Sequence, residues 1–124
     1  MPLAHTDLLV LAHRLRDLRE QRWPEFRLTQ AALAKALSSE GSVSPATVSS
    51  WENSSSPKLL ARNRLTAYAR FFATRRSIET DPPQLLSLDT LTDEERDSYE
   101  ALEAELRALY DAARKPSGSP TNQS

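Results

Sequence analysis

The chain has 124 residues, enough for one domain of ordinary size with an appended element, and its 16 basic and 17 acidic residues leave a net charge of −1. Cysteine is absent, which excludes disulfides and thiolate metal sites and fits a reducing cytoplasm, and no apolar run approaches the roughly 20 residues that span a bilayer. The start lacks a signal-peptide pattern; Gly41 and Gly118 are too few for a glycine-rich phosphate cradle, and His5 and His13 have no carboxylates at metal-ligand spacing, so no metal, cofactor or small-molecule ligand is expected.

The first predicted helix runs over residues 6–22. Leu8, Leu11, Leu15 and Leu18 recur at helical spacing, while Arg14, Arg16, Asp17, Arg19 and Glu20 fall mostly on other faces. Thr6 is its expected cap and Asp7 suits its positive end. Trp23-Pro24 closes it, because a residue before proline is pushed out of the α region. The second helix spans about Gln30–Leu37, opened by Thr29 and burying Leu33, Ala34 and Leu37.

A polar turn, SSEGS, leads to a third helix over residues 45–52. Ser44 caps it, and Pro45 at the first helical position lacks only an N–H that would have had no partner. Val48 and Trp51 form its inner face, and Asn53, three serines and Pro57 make the following turn. A fourth helix is expected to begin between residues 61 and 63 and to reach about residue 75, with Leu65, Tyr68, Ala69 and Phe72 as its buried stripe.

Residues 77–91 read as a linker broken by Pro82 and Pro83, with Leu85, Leu86 and Leu88 folding back onto a helix. The fifth helix, within residues 92–114, opens with a capping box of Thr92 and Glu95 and places Asp93 and Glu94 at its positive end. Tyr99, Leu102, Leu106, Leu109 and Ala113 follow at alternating spacings of three and four, close to a short coiled-coil seam. Residues 115–124, KPSGSPTNQS, read as a disordered tail or a linker to a further domain. No strand signal competes, so the expected fold is all-α, with residues 1–76 as the main domain.

Two short helices joined by a turn, with longer helices on either side, make a helix-turn-helix arrangement, in which the second short helix can enter the DNA major groove. Leu28, Leu33, Leu37, Val48 and Trp51 form the apolar wedge between the two. Charge supports this reading. Residues 1–76 hold twelve basic and six acidic residues (12 − 6 = +6), and residues 77–124 hold four and eleven (4 − 11 = −7). A basic half is the footprint expected of a phosphate-binding surface.

LRDLREQR, LTQAALAKAL, VSPATVSSWEN, Pro57 and LTAYARFF together resemble the Cro/C1-type (XRE) helix-turn-helix DNA-binding family over residues 11–72. The resemblance implies a bundle of four or five helices and sequence-directed binding of double-stranded DNA in transcription regulation, usually as a homodimer. It places Ser44, Pro45, Ala46, Ser49 and Ser50 where the family reads base edges. Thr29 and Gln30 stand at a helix N-terminus that favours phosphate, and Thr47, Asn53, Lys58, Arg62, Asn63 and Arg64 are the remaining candidate phosphate contacts.

The chain departs from the family pattern in the WPEFR insert before Leu28, the long SSEGS turn, Ser54 in a usual glycine position, and a long connection from Pro57 to Leu65. The reading positions also lack the Arg, Lys, Asn and Gln side chains that pair bidentately with bases. Direct readout is therefore expected to be thin, with affinity from phosphates and some specificity from DNA shape.

The seam of Tyr99, Leu102, Leu106 and Leu109 has two possible uses: dimerisation, or packing back on Leu65, Phe71 or Phe72 of the same chain. The acids of this helix, on a flexible connector, could also compete with DNA for the arginines of the basic half. The alternative function is a protein-interaction module on the same scaffold, docking through the acidic helix. Catalysis is not expected, since the acids at the start of that helix read as a solvated face.

Overall fold

The computed structural model describes residues 3–80 and 82–114, apart from the side chains of residues 3–6 and 40. In chain order the helices are α1 (Leu3–Gln21), α2 (Gln30–Leu37), α3 (Pro45–Trp51), α4 (Arg62–Phe72), α5 (Arg76–Glu79) and α6 (Asp93–Arg114), with no strand among the described residues. The tail expected over residues 115–124 lies outside the described residues, as does the Thr6 side chain.

Local chemistry sets the helix starts. Thr29 Oγ1 accepts from the Ala32 amide at 3.0 Å, and Ser44 Oγ accepts from the Thr47 amide at 3.1 Å. At α6 the capping box closes in both directions. The Thr92 amide donates to Glu95 Oε1 at 2.8 Å, and the Glu95 amide donates to Thr92 Oγ1 at 3.2 Å. The expected start at Thr6 is corrected: α1 begins at Leu3, since nothing in Leu3-Ala4-His5 breaks a helix, and Thr6 lies within it.

The WPEFR insert folds against the end of α4. Trp23 stacks on Phe72 with ring centroids 5.6 Å apart, and Arg75 lies over the Phe26 ring at 5.1 Å. Arg22 Nε donates to the Phe72 carbonyl at 3.0 Å, satisfying an orphan acceptor at the end of α4. That helix therefore stops at Phe72, short of the expected residue 75. Thr74 Oγ1 then accepts from the Arg76 amide at 3.1 Å and begins the short α5.

One continuous core joins Leu11, Leu15 and Leu18 of α1, Leu33 and Leu37 of α2, Val48 and Trp51 of α3, and Leu65, Tyr68, Phe71 and Phe72 of α4. Helix α6 lies along α1 and α4 and adds Leu102, Leu106 and Tyr110 to the same core. Of the two uses open to Tyr99, Leu102, Leu106 and Leu109, these contacts favour packing within the chain. Leu106 is fully buried, Leu102 is nearly so, and Tyr99 and Leu109 pack half-buried against this core. Without α6, the apolar faces of α1 and α4 would stand in water, and each fully buried leucine is worth about 1.5–3 kcal/mol.

The segment over residues 77–91 folds back onto the bundle, as expected of Leu85, and so is less flexible than a tether. Ser77 and Ile78 are buried in α5, Leu85 packs against the core, and Leu91 is buried at the approach to α6. The Gln84 amide donates to the Ser77 carbonyl at 2.8 Å and folds the segment back. Leu88, by contrast, is exposed. Among the described residues no helix is long and apolar enough to cross a membrane.

Candidate nucleic-acid interface

The N-terminus of α2 and the outer face of α3 meet in an open cleft of about 630 Å³, lined among others by Arg16, Arg27, Thr29, Gln30, Ser49 and Asn53. Its floor is a buried ion pair. Arg19 Nε donates to both Glu52 carboxylate oxygens at 3.0 Å, and Arg19 Nη1 donates to the Leu28 carbonyl at 3.0 Å. Gln30 Nε2 donates to Glu52 Oε1 at 3.1 Å. Glu52 is 4% exposed and Arg19 partly buried, and the pair ties α1, the start of α2 and the end of α3 together. Burial, with the neighbouring Glu52 carboxylate, pushes the Tyr68 phenol well above its ordinary range, and Arg19 opposes this in part.

Along α3, Ser44, Pro45, Ala46 and Ser49 are exposed, while Val48 and Trp51 face inward. Thr47 is half-buried, with its hydroxyl 2.9 Å from that of Ser44. Ser50 is also half-buried, and its hydroxyl donates to the Thr47 carbonyl at 2.6 Å, so it points along the helix. Four of the five expected base-reading residues thus share an open surface, and Ser50 sits at its edge.

The expected phosphate contacts divide. Thr29 and Gln30 stand on the cleft, where unpaired amides of the first turn of α2 and its dipole suit an anion. Asn53 Oδ1 accepts from the Ser55 and Ser56 amides, both at 2.8 Å, so its carbonyl oxygen shapes the loop after α3. Lys58 is exposed, and its backbone amide donates to the Ser50 carbonyl at 2.9 Å, pinning that loop to α3. Asn63 is exposed at the start of α4.

Arg62 Nη2 donates to Asp111 Oδ1 of α6 at 3.2 Å, with its guanidinium 5.6 Å from the centre of the Tyr110 ring. Arg64 is turned inward: Nη1 donates to the Leu37 carbonyl at 3.3 Å and Nη2 to the Gly41 carbonyl at 3.1 Å.

Two residues of the cleft rim, Arg16 and Arg27, escaped the sequence reading. Arg27 adopts a left-handed backbone, φ 49°, which turns the chain from the insert into α2. Its place directly before Leu-Thr-Gln was the available signal. Arg16 carried none, since only the fold brings its face of α1 to the cleft.

Neither a curated protein nor a solved structure matches the chain. Residues 10–77 match the family model of the helix-turn-helix domain, and over this span, more than half of the chain, the protein belongs to that family.

Proposed function

We propose that this protein binds double-stranded DNA as a transcriptional regulator, with α3 entering the major groove and backbone phosphates seated at the cleft rim. The observation that carries the reading is the convergence of Arg16, Arg27 and the α2 N-terminus beside the exposed polar face of α3. The cations and the free amides supply sequence-independent affinity. Ser44 and Ser49 can bond to either kind of base edge, and Ala46 can touch a thymine methyl.

Arg62 takes part only when a phosphate displaces Asp111 from its exposed ion pair. Leu102 and Leu106 are buried within the bundle, which favours pairing of two copies on a two-fold site through another surface.

A second reading, a protein-interaction module, draws on the exposed Glu94, Asp97 and Glu100 of α6. Enrichment of bound sites from random duplexes, repeated across a salt series, decides between them. DNA binding predicts a recurring site and a log–log salt slope of about −0.9 per phosphate contacted. Reversing charge at Arg16 and Arg27 together should abolish that binding while leaving an adaptor acting through α6 untouched. Absence of binding to any duplex at low salt would overturn the DNA reading.

A further inference from the structure

Between α2 and α3 the chain makes a long turn that α2 alone could not hold in one shape. Ser38–Glu40 forms a 3₁₀ turn, and Gly41 follows at φ 118°, a backbone conformation that residues with a Cβ rarely adopt. Ser38 Oγ lies 2.8 Å from the Ala34 carbonyl and accepts from the Val43 amide at 3.0 Å, closing the turn from within.

The remaining tie comes from another helix. Arg64 reaches from the first turn of α4 to the Leu37 and Gly41 carbonyls, one at each side of the turn. Leu37 is the last residue of α2, so its carbonyl is one of the orphan acceptors there, and a cation suits that negative end. The next residue, Leu65, is anchored in the core at 1% exposure, which fixes where the guanidinium starts from. The fit is close: a Cβ on Gly41 would lie 3.0 Å from Arg64 Nη2.

We propose that Arg64 is a positioning residue for α3, setting the tilt of the reading helix by clamping both sides of the turn before it, and not a phosphate contact. Planarity is essential to this role. A guanidinium presents several N–H groups in a fixed fork, whereas an ammonium is a single point of charge. Arg64→Lys therefore keeps the charge and loses the double tie. The effect on sequence preference rests on the DNA-binding reading above; the clamp itself does not.

Two measurements on the full chain test it. In hydrogen exchange, Arg64→Lys and Arg64→Met should both speed exchange of amides over residues 38–48, with the α1, α4 and α6 amides unchanged. In duplex binding, both Arg64 variants should narrow the gap between the enriched site and a scrambled duplex by roughly tenfold, about one base pair's worth of readout, with the salt slope retained. A phosphate contact predicts the reverse: Arg64→Met lowers the slope by about one and weakens all sequences alike, and lysine restores binding. Unchanged exchange over residues 38–48 in Arg64→Lys overturns the clamp, even if the wild-type chain binds no duplex. Altered exchange in a chain that binds no duplex leaves the clamp standing and rejects the DNA reading alone.

Discussion

The cleft face and the side covered by α6 treat the same kind of residue in contrasting ways. Beside α6, arginines of the basic half meet acids: Arg14 with Glu105 at 2.6 Å, Arg62 with Asp111 at 3.2 Å, and Arg76 with Glu95 at 2.6 Å. At the cleft Arg19 meets Glu52 on the floor, but on the rim Arg27 has no acid partner among the described residues, and Arg16 holds, among them, only the exposed Glu20 at 3.2 Å, a pairing that competes weakly with a phosphate. The +6 of residues 1–76 is therefore not a uniform basic surface. Helix α6 neutralises part of it and completes the core, and the cleft keeps the part that suits an anion.

The strongest way to break this contrast is Leu106→Asp. In an α6 that belongs to the bundle, a carboxylate at this fully buried position abolishes the cooperative thermal transition. A folded monomer from this variant would return the seam to a dimer interface. Arg19→Met comes next. It leaves Glu52 buried without its cation and should cost about 3–5 kcal/mol in chemical denaturation. A loss below about 1 kcal/mol would mean that water reaches the cleft floor.

Acid titration sharpens the other side. The Arg76 guanidinium, together with bonds from Thr74 and the Thr92 amide and against some desolvation, holds the Glu95 carboxyl at about 2. A lowered carboxyl stabilises the fold above its ordinary titration range. That contribution fades as pH falls from about 4.5 toward about 2. Glu95→Gln should therefore lower stability at neutral pH and flatten the acid limb of the stability curve. An unchanged limb would show that the pair is not formed in solution.

Asp111→Asn is the mildest test. Freeing Arg62 should tighten non-specific DNA binding by roughly two- to fivefold at low salt, with the gain shrinking as salt rises. If the chain binds DNA as proposed, no gain would place Arg62 away from it. A charge change is the cleaner probe, because removing α6 would uncover the apolar faces of α1 and α4 as well as the arginines.

Apart from the start of α1, features that depend on neighbours in sequence were legible from the sequence alone. The spans of α2 and α3 followed from Thr29 and from Ser44-Pro45, and the opening of α6 from Thr92 and Glu95, because a cap and its partner lie within one turn. The apolar stripe of α6 required a cover but could not name it, since the spacing of Leu102 and Leu106 serves a second copy or α1 and α4 equally well. Helix α5 left no pattern, being a single turn held by the burial of Ser77 and Ile78. Among the candidate site residues, charge was readable and aim was not. Arg62 and Arg64 stand two positions apart, yet one turns to α6 and the other to the turn before α3.

Ala46 and Ser49 are exposed on α3 and make no side-chain hydrogen bond or ion pair among the described residues. Replacements there should move folding stability by no more than about 0.5 kcal/mol. Evolution can therefore redraw this surface freely. Wedge, buried ion pair and turn stay as they are while the two outward positions vary, so, if α3 reads DNA as proposed, descendants of one scaffold can diverge in what they bind without first passing through an unstable ancestor.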